Sequence, residues 1–468
     1  MMPIISRLLI EDPDQLIFGV CPKPVECGLG LVLGSGRVFS EVNFTLPPLT
    51  IGTDTWPEVL GHYDNMIDRV LKRAVSLSAP GIVIEFELLP AMTERPEWGA
   101  EITALLKGHL RRAHEKSGLS SALRVTPTDI RERDRPPLLR KGTAWEQLSA
   151  SLNQCAAAGA DILSIESVGG KEIHDAALMQ GDVRGIVAAL GILAPTDMTW
   201  LWNQIVSICE KHAGVVPGGD SACGFANTAM QLAGQHMLPD VLAAVDRAMS
   251  APRSLIAYEC GAKGPSKDCA YEGPVMKALA GVPISMEGKS AACAHFSPLG
   301  NIAAAMCDLW SNESVQNVRL LAGSAPEVFT ELLEYDCRLM NTASRTGQAK
   351  ILRDLLTRSD EYCNPQATIL SAVSTIAIAK AIAEEKTPYQ RTIAAGKAAV
   401  QLLKAAVAGG RLQIKTKEKM WLQKVESGLS QLPETPDRLL QDIEGDYGSL
   451  YLRESYGLDL EQSAVTTL

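Results

Sequence analysis

At 468 residues, 46% apolar and 21% charged, the chain can bury a large core and lacks the composition of a disordered protein. Its 44 Lys and Arg against 54 Asp and Glu leave a formal charge of −10, and aromatics are only 5%. That balance argues against a nucleic-acid-binding or anionic-membrane-binding protein.

The N-terminus, MMPIISRLLIEDPDQ, has no basic segment followed by a long apolar run, and the apolar stretch 369–383 is short and contains Lys380. A cytoplasmic protein is expected. The 11 cysteines are an odd number spread over a long chain, so they read as free core residues or metal ligands, not as a disulfide framework. The first 50 residues are rich in Gly and Pro and read as irregular or hairpin structure. GLGLVLGSG at 28–36 has neither a following Gly-Lys-Ser/Thr nor a strand-turn-helix setting, so it reads as turn chemistry and not as a phosphate loop.

From about 55 to 320 short β-branched runs alternate with amphipathic stretches. The runs are GIVIEF (81–86), ALRV (122–125), DILSI (161–165), GVVP (214–217), SLIAY (254–258) and VPISM (282–286). Helical patterns lie between them at 145–158, 182–193, 199–212 and 238–249. Repeated strand-helix units imply a parallel sheet, and this many over about 270 residues predict a closed (β/α)8 barrel of the TIM type. The two remaining strands are expected within 50–80 and 300–325. Beyond Pro326 the strand signal stops, and helices are predicted at 328–342, 348–362, 367–385, 389–408, 417–432 and 436–447. The expected organisation is thus an α/β barrel with an N-terminal irregular extension over 1–325, followed by a helical region over 326–468 packed on it.

In such a barrel the residues just past the strand C-termini build the site. Those positions hold Glu85 and Glu87, Arg124 and Thr126, Glu166, Asp220 and Cys223, Glu259 and Cys269, and Glu287 with His295. Glu166, Cys223 and Cys269 form a possible three-ligand zinc set with an open fourth position; thiolates disfavour magnesium and calcium. Cysteine is also among the most commonly buried residues, so the spacing alone is not specific. Cys155, Cys209, Cys307, Cys337 and Cys363 fall in helical patterns and read as core; Cys260 and Cys293 are weaker ligand candidates. His295 is the one histidine placed to act; the others read as solvated or as satisfied core residues.

At these residues the sequence resembles the zinc-dependent methanol:corrinoid methyltransferases of methanogens and acetogens. The matching text includes ERPEWGAE (94–101), LSIESVGGKE (163–172), GGDSACGFANTAM (218–230), SAPRSLIAYECGAKGPSKDCAYEG (250–273), MEGKSAACAH (286–295), LWSNESV (309–315) and NPQA (364–367), over almost the whole chain. The resemblance implies a TIM-type barrel, a catalytic zinc on Glu166, Cys223 and Cys269, methanol as substrate, a separate corrinoid (cobalamin) protein as methyl acceptor, and a homodimer within a heteromeric complex. The sequence departs from better-known members at Gly224-Phe225, beside the ligand Cys223, while Asn227 is retained. Hydroxide is a poor leaving group, so a proton donor is expected; Asp220, Glu85 and His295 are the strand-end candidates. Three other readings are set beside this one: the same chemistry on another methyl donor such as a methoxylated aromatic compound, a zinc hydrolase, and a non-catalytic assembly subunit. A hydrolase would usually employ several histidine ligands.

Overall fold

The computed structural model describes residues 4–315, 319–320 and 323–458. An antiparallel hairpin, β1 (Val20–Cys27) and β2 (Leu31–Ser35), comes first. Seven strands then make one parallel sheet: β3 (Phe39–Thr45), β4 (Ile82–Leu88), β5 (Ser121–Pro127), β6 (Ile162–Leu163), β7 (Val216–Pro217), β8 (Ser285–Glu287) and β9 (Leu309–Val315). Their spatial order is β7-β6-β5-β4-β3-β9-β8.

The two edge strands are joined through an irregular segment. Lys263 N and Gly264 N donate to Pro217 O and Gly218 O at 2.8 and 3.0 Å, while Ser266 N donates to Pro283 O at 3.3 Å. The sheet therefore curls, and residues 263–266 bridge its edges where an eighth strand was expected. Gly264 has φ +84°, and a Cβ there would lie 2.9 Å from Pro283 O, so the bridge needs glycine at this point.

Two strand expectations are corrected. SLIAY lies inside the helix Asp240–Glu259, in which every residue from Val241 to Glu259 is buried. Helices Ala194–Lys211, Gly273–Ala280 and Pro388–Ala408 pack around it, and that burial outweighs the β-branched local preference. Glu259 therefore sits at a helix end, not a strand end, and pairs with Arg391 at 2.8 Å. The 50–80 region is the helix Trp56–Ser76, whereas the missing strand is β3, inside the first 50 residues.

The inward-facing positions, two residues apart along each strand, change character with height. At the N-terminal end Phe39, Val83, Ala122, Ile162, Val216 and Leu309 form a small apolar cluster with Val25, Cys27, Leu31 and Leu33 of the hairpin, which plugs that end. One step up stand Glu41, Glu85, Arg124, Ser164 and Ser311, all buried. Higher still stand Glu87, Thr126, Glu166, Asp220 and Glu313.

The C-terminal helices span Ala325–Arg345, Ala349–Asp360, Pro365–Leu370, Ala372–Ala383, Pro388–Ala408, Thr416–Ser430 and Pro436–Tyr447. The stretch expected as one helix over 367–385 is broken at Ser371, whose side chain caps the second piece by accepting from Ser374 N. The segment Val183–Lys211, which contains a π-turn at Ala189–Leu193, is long and apolar enough to cross a membrane, but 83% of its apolar window is buried inside the fold. Its apolarity serves the core.

The Ala-rich helix Pro388–Ala408 lies close against Asp240–Glu259. A Cβ on Gly396 would stand 3.0 Å from Met249 Cγ and Sδ. We expect Gly396→Leu to push these helices apart and lower the thermal midpoint, since overpacking costs about 1–3 kcal/mol. An unchanged midpoint in thermal denaturation would show that Met249 simply yields.

Candidate metal centre at the mouth of the curled sheet

Glu166, Cys223 and Cys269 come from three different loops, yet their ligand atoms all lie within 4.8 Å of one another. Glu166 stands three residues past β6. Cys223 opens a wide π-turn, Cys223–Asn227, that leads into the helix Thr228–Gly234. Cys269 lies in the loop between Asp240–Glu259 and Gly273–Ala280. Cys269 Sγ is 2.9 Å from Glu166 Oε1 and 3.3 Å from Ser221 Oγ. Asn227 Nδ2 donates to Cys269 O at 3.0 Å and reaches Cys223 Sγ at 3.5 Å, so this one side chain spans both sulfur-bearing loops.

The loops are braced from below. Arg253, buried on Asp240–Glu259, donates to Ser221 O (2.9 Å), to Ser167 O and Oγ (2.7 Å each) and to Asp220 Oδ1 (3.2 Å). Asp220 Oδ1 also accepts from Ser167 N and Ser221 N, and Oδ2 accepts from Trp202 Nε1 at 2.8 Å. Both Asp220 oxygens thus take N–H donors, which is the role of a brace. Glu272 Oε1 adds a further tie by accepting from Ala222 N and Ser254 Oγ, each at 2.7 Å. Neither Arg253 nor Glu272 is apparent from sequence position, because the strand assigned to SLIAY put their surroundings in the wrong place.

The donor set suits a metal of zinc's type, with two soft sulfurs and one oxygen. The hydrogen bond from Cys269 favours the Cys223 thiolate, but burial and the Glu166 and Glu287 carboxylates outweigh it and hold the thiol at about 11. Burial likewise lifts Cys269 well above an ordinary thiol. A divalent cation is the partner that makes thiolates of such a pair at neutral pH. Cys260 and Cys293 lie outside this cluster.

Beside it is a second group. Lys267, only 1% exposed, places Nζ 2.5 Å from Asp268 Oδ1, 3.2 Å from Glu85 Oε1 and 3.7 Å from Glu166 Oε1, and it also contacts Glu87. Burial works against its charge, but Asp268, Glu85 and Glu87 overcome that and hold it firmly as an ammonium. Glu85 also accepts from Thr126 Oγ1 at 2.8 Å, and its Oε2 is buried without a hydrogen-bond partner among the described residues. Burial, reinforced by Asp268, pushes the Glu85 carboxyl well above its usual range.

On the other side, His295 Nδ1 and Glu287 Oε1 are 2.9 Å apart, and Glu287 Oε2 accepts from Tyr271 OH at 3.0 Å. The Glu287 hydrogen bond raises His295 to about 9 against the opposing effect of burial. The candidates thus separate into a metal-ligand cluster (Glu166, Cys223, Cys269, bridged by Asn227), a brace (Asp220), a buried acid beside an ammonium (Glu85) and a protonated histidine (His295). A cavity of about 240 Å³ opens onto Glu166 and is lined also by Glu87, Thr126, Asp129, Lys171 and Gly224. A larger groove of about 790 Å³ lies at the other end of the strands, around Val20, Gly36 and Ser78.

The family model of the methanol-cobalamin methyltransferase B subunit (MtaB) matches residues 4–457. The chain is 36% identical to a methanol–corrinoid protein co-methyltransferase of Methanosarcina barkeri over 459 residues, 97% of this chain and 98% of that protein. It also resembles the crystal structure of the methanol:cobalamin methyltransferase complex MtaBC from Methanosarcina barkeri, with a TM-score of 0.92 and 36% identity. That match covers 97% of this chain and 99% of that one.

Arg253→Met would leave Asp220 buried without its counter-charge, which costs about 3–5 kcal/mol. We expect a clear fall in the thermal midpoint, with lower metal content in whatever protein remains folded. Calorimetry and metal analysis check this, and a wild-type midpoint would remove the brace.

Proposed function

The chain belongs to the methanol-cobalamin methyltransferase B family, and we propose that it transfers the methyl group of methanol to the Co(I) of a separate corrinoid protein at a zinc centre held by Glu166, Cys223 and Cys269. The observation that carries the zinc reading is the convergence of those three side chains at the C-terminal mouth of the sheet, with Glu166 facing a cavity. A cytoplasmic homodimer working with that corrinoid protein belongs to the same reading.

The balance is methanol, Co(I) and a proton giving methyl-Co(III) and water; the C–O bond breaks and the carbon–cobalt bond forms. Zinc, when bound, supplies Lewis acidity toward the alcohol oxygen. The chain's own residues do the rest. Arg253 and Asp220 fix the neighbouring loops that follow β6 and β7, so that the methyl carbon can be presented in one direction. Asn227 holds the Cys223 and Cys269 loops at a constant separation. Among the proton-donor candidates, Asp220 is committed to four N–H donors. His295 is the better source, because it carries a proton at neutral pH, is oriented by Glu287 and keeps 24% of its side chain exposed. Glu85, whose carboxyl is pushed well above its usual range by burial and Asp268, is the remaining candidate, on the far side of Lys267. The modest cavity supports a small methyl donor over a methoxylated aromatic compound, since pockets for drug-sized ligands run to about 300–1,000 Å³.

Two outcomes are expected. Purified protein carries zinc, and Cys269→Ser loses both the zinc and the methanol-dependent formation of methyl-Co(III), followed anaerobically by absorbance. Wild-type protein that makes methyl-Co(III) without zinc would sink the metal reading. The pH profile supplies the second. A donor with a pKa of about 9 is lost as pH rises through that value, so kcat should fall there. His295→Gln should lower kcat and abolish that alkaline limb; a variant with the wild-type profile would clear His295 of the role.

A further inference from the structure

The carboxylates of Glu85, Glu87 and Asp268 approach one another as closely as the three metal-ligand candidates do, each offering an oxygen within 4.8 Å of the others. Three oxygens at that separation are a seat for a hard divalent cation such as Mn²⁺ or Mg²⁺. In this protein the seat holds a side chain. Lys267 Nζ contacts all three carboxylates and stands 3.7 Å from Glu166 Oε1. Among the described residues no other Lys or Arg nitrogen lies within 4.0 Å of Glu85, Glu87, Glu166 or Asp268. The nearby Arg124 is engaged elsewhere, with Glu41 at 2.7 Å and with Ser266 O at 2.8 Å. Asp268 is itself anchored from β9 by Ser311 Oγ at 3.0 Å.

We propose that Lys267 is a built-in counter-cation: its ammonium fills the Glu85–Glu87–Asp268 seat, holds the neighbouring Glu166 carboxylate in place, and so keeps the centre to a single metal ion. The covalent arrangement favours this. Lys267 lies two residues before Cys269, so the loop that brings a sulfur to one site brings the cation to the next. A tethered ammonium cannot leave, and it occupies the point between the three carboxylates that a second ion competing for Glu166 would need. Lys267 is a positioning residue, acting through Glu166, and its link to the centre rests on the zinc reading above.

The test compares wild type, Lys267→Gln, Lys267→Arg and the double variant Lys267→Gln with Glu85→Gln. Each is titrated with Mn²⁺, with bound ion read from loss of the free Mn²⁺ electron paramagnetic resonance signal, in zinc-loaded and in zinc-stripped protein. Zinc affinity is measured separately by chelator competition. Lys267→Gln should take up one Mn²⁺ per chain more than wild type. The double variant should not, and Lys267→Arg should match wild type. Zinc affinity in Lys267→Gln should fall about 10- to 100-fold, the usual effect of removing a group that orients a ligand. Lys267→Gln that gains no Mn²⁺, or whose zinc affinity is unchanged, overturns the proposal.

If Lys267→Gln does not fold, Lys267→Met with Asp268→Asn removes cation and carboxylate together and avoids a buried unpaired charge. It should gain no Mn²⁺ yet hold zinc more weakly, and wild-type zinc affinity there would equally overturn the proposal. The Mn²⁺ arm in stripped protein does not depend on zinc. A wild type that never binds zinc therefore defeats the metal reading, and leaves the cation seat to be judged by its own result.

Discussion

Arg253 and Asp220 are both buried, and each hydrogen-bonds to backbone beside a metal-ligand candidate. Arg253 reaches Ser167 O, next to Glu166, and Ser221 O, two residues from Cys223; Asp220 accepts from the N–H groups of the same two serines. One ion pair therefore sets the distance between two loops beyond the point where their strands stop pairing, at Leu163 and Pro217. Loops that run past short two-residue strands such as β6 and β7 have little ladder to define them. A buried charge that must keep all its partners replaces the missing ladder with a stricter requirement, because losing any partner leaves a desolvated ion. Trp202 and Glu272 extend the same constraint to the helices behind.

The graded interior explains why the site is at only one end. The hairpin closes the N-terminal end with aliphatic side chains, and the inward positions above it become acidic within one or two steps. Charges at that depth stay soluble only through internal partners, and the partners are specific: Arg124 with Glu41, Lys267 with Glu85 and Asp268. Arg124 reaches from β5 across β4 to Glu41 of β3, and Lys267 directly follows the segment that bridges the sheet edges. The curl of the sheet and the polar network therefore depend on each other.

Much of this was legible in the sequence, and what was not has physical reasons. The runs GIVIEF and ALRV are full strands, and five of the six expected C-terminal helices match single observed helices, because their periodicity and Pro or Gly boundaries are local signals. Glu166 and Cys223 were within reach because they follow β6 and β7, whereas Cys269 was reached through a strand that SLIAY does not form; it follows the 263–266 segment that joins the sheet edges. SLIAY was misread because a helix buried on every side has no polar face, and a short β-branched piece of it looks like a strand. β3 was missed because its inward residues Glu41 and Asn43 are polar, which erases the expected alternation. Lys267 was passed over for a related reason: a lysine in GAKGPSKDC reads as a solvated loop residue, and nothing local reveals four carboxylates brought from β4, from past β6 and from its own loop. Long-range electrostatics has no sequence period.

The same charges bear on which donor the centre accepts. On the proposed reading two thiolates and a carboxylate would more than offset the charge of a zinc ion, and the acids Glu87, Glu287 and Glu313 at the mouth are met by Lys267 and His295. Such a ligand set weakens the Lewis acidity of a metal, while its surroundings retain protons: burial and neighbouring acids raise the carboxyls of Glu85 and Glu41, and burial followed by Glu87 holds Glu313 at about 7. On the proposed reading, departure of an oxygen leaving group draws on a proton as well as on a Lewis acid, and this arrangement favours the supply of the proton. It also disfavours any donor that brings its own negative charge. A neutral alcohol enters without electrostatic cost, whereas an aromatic carboxylate bearing a methoxy group would be repelled before its methyl carbon reached the centre.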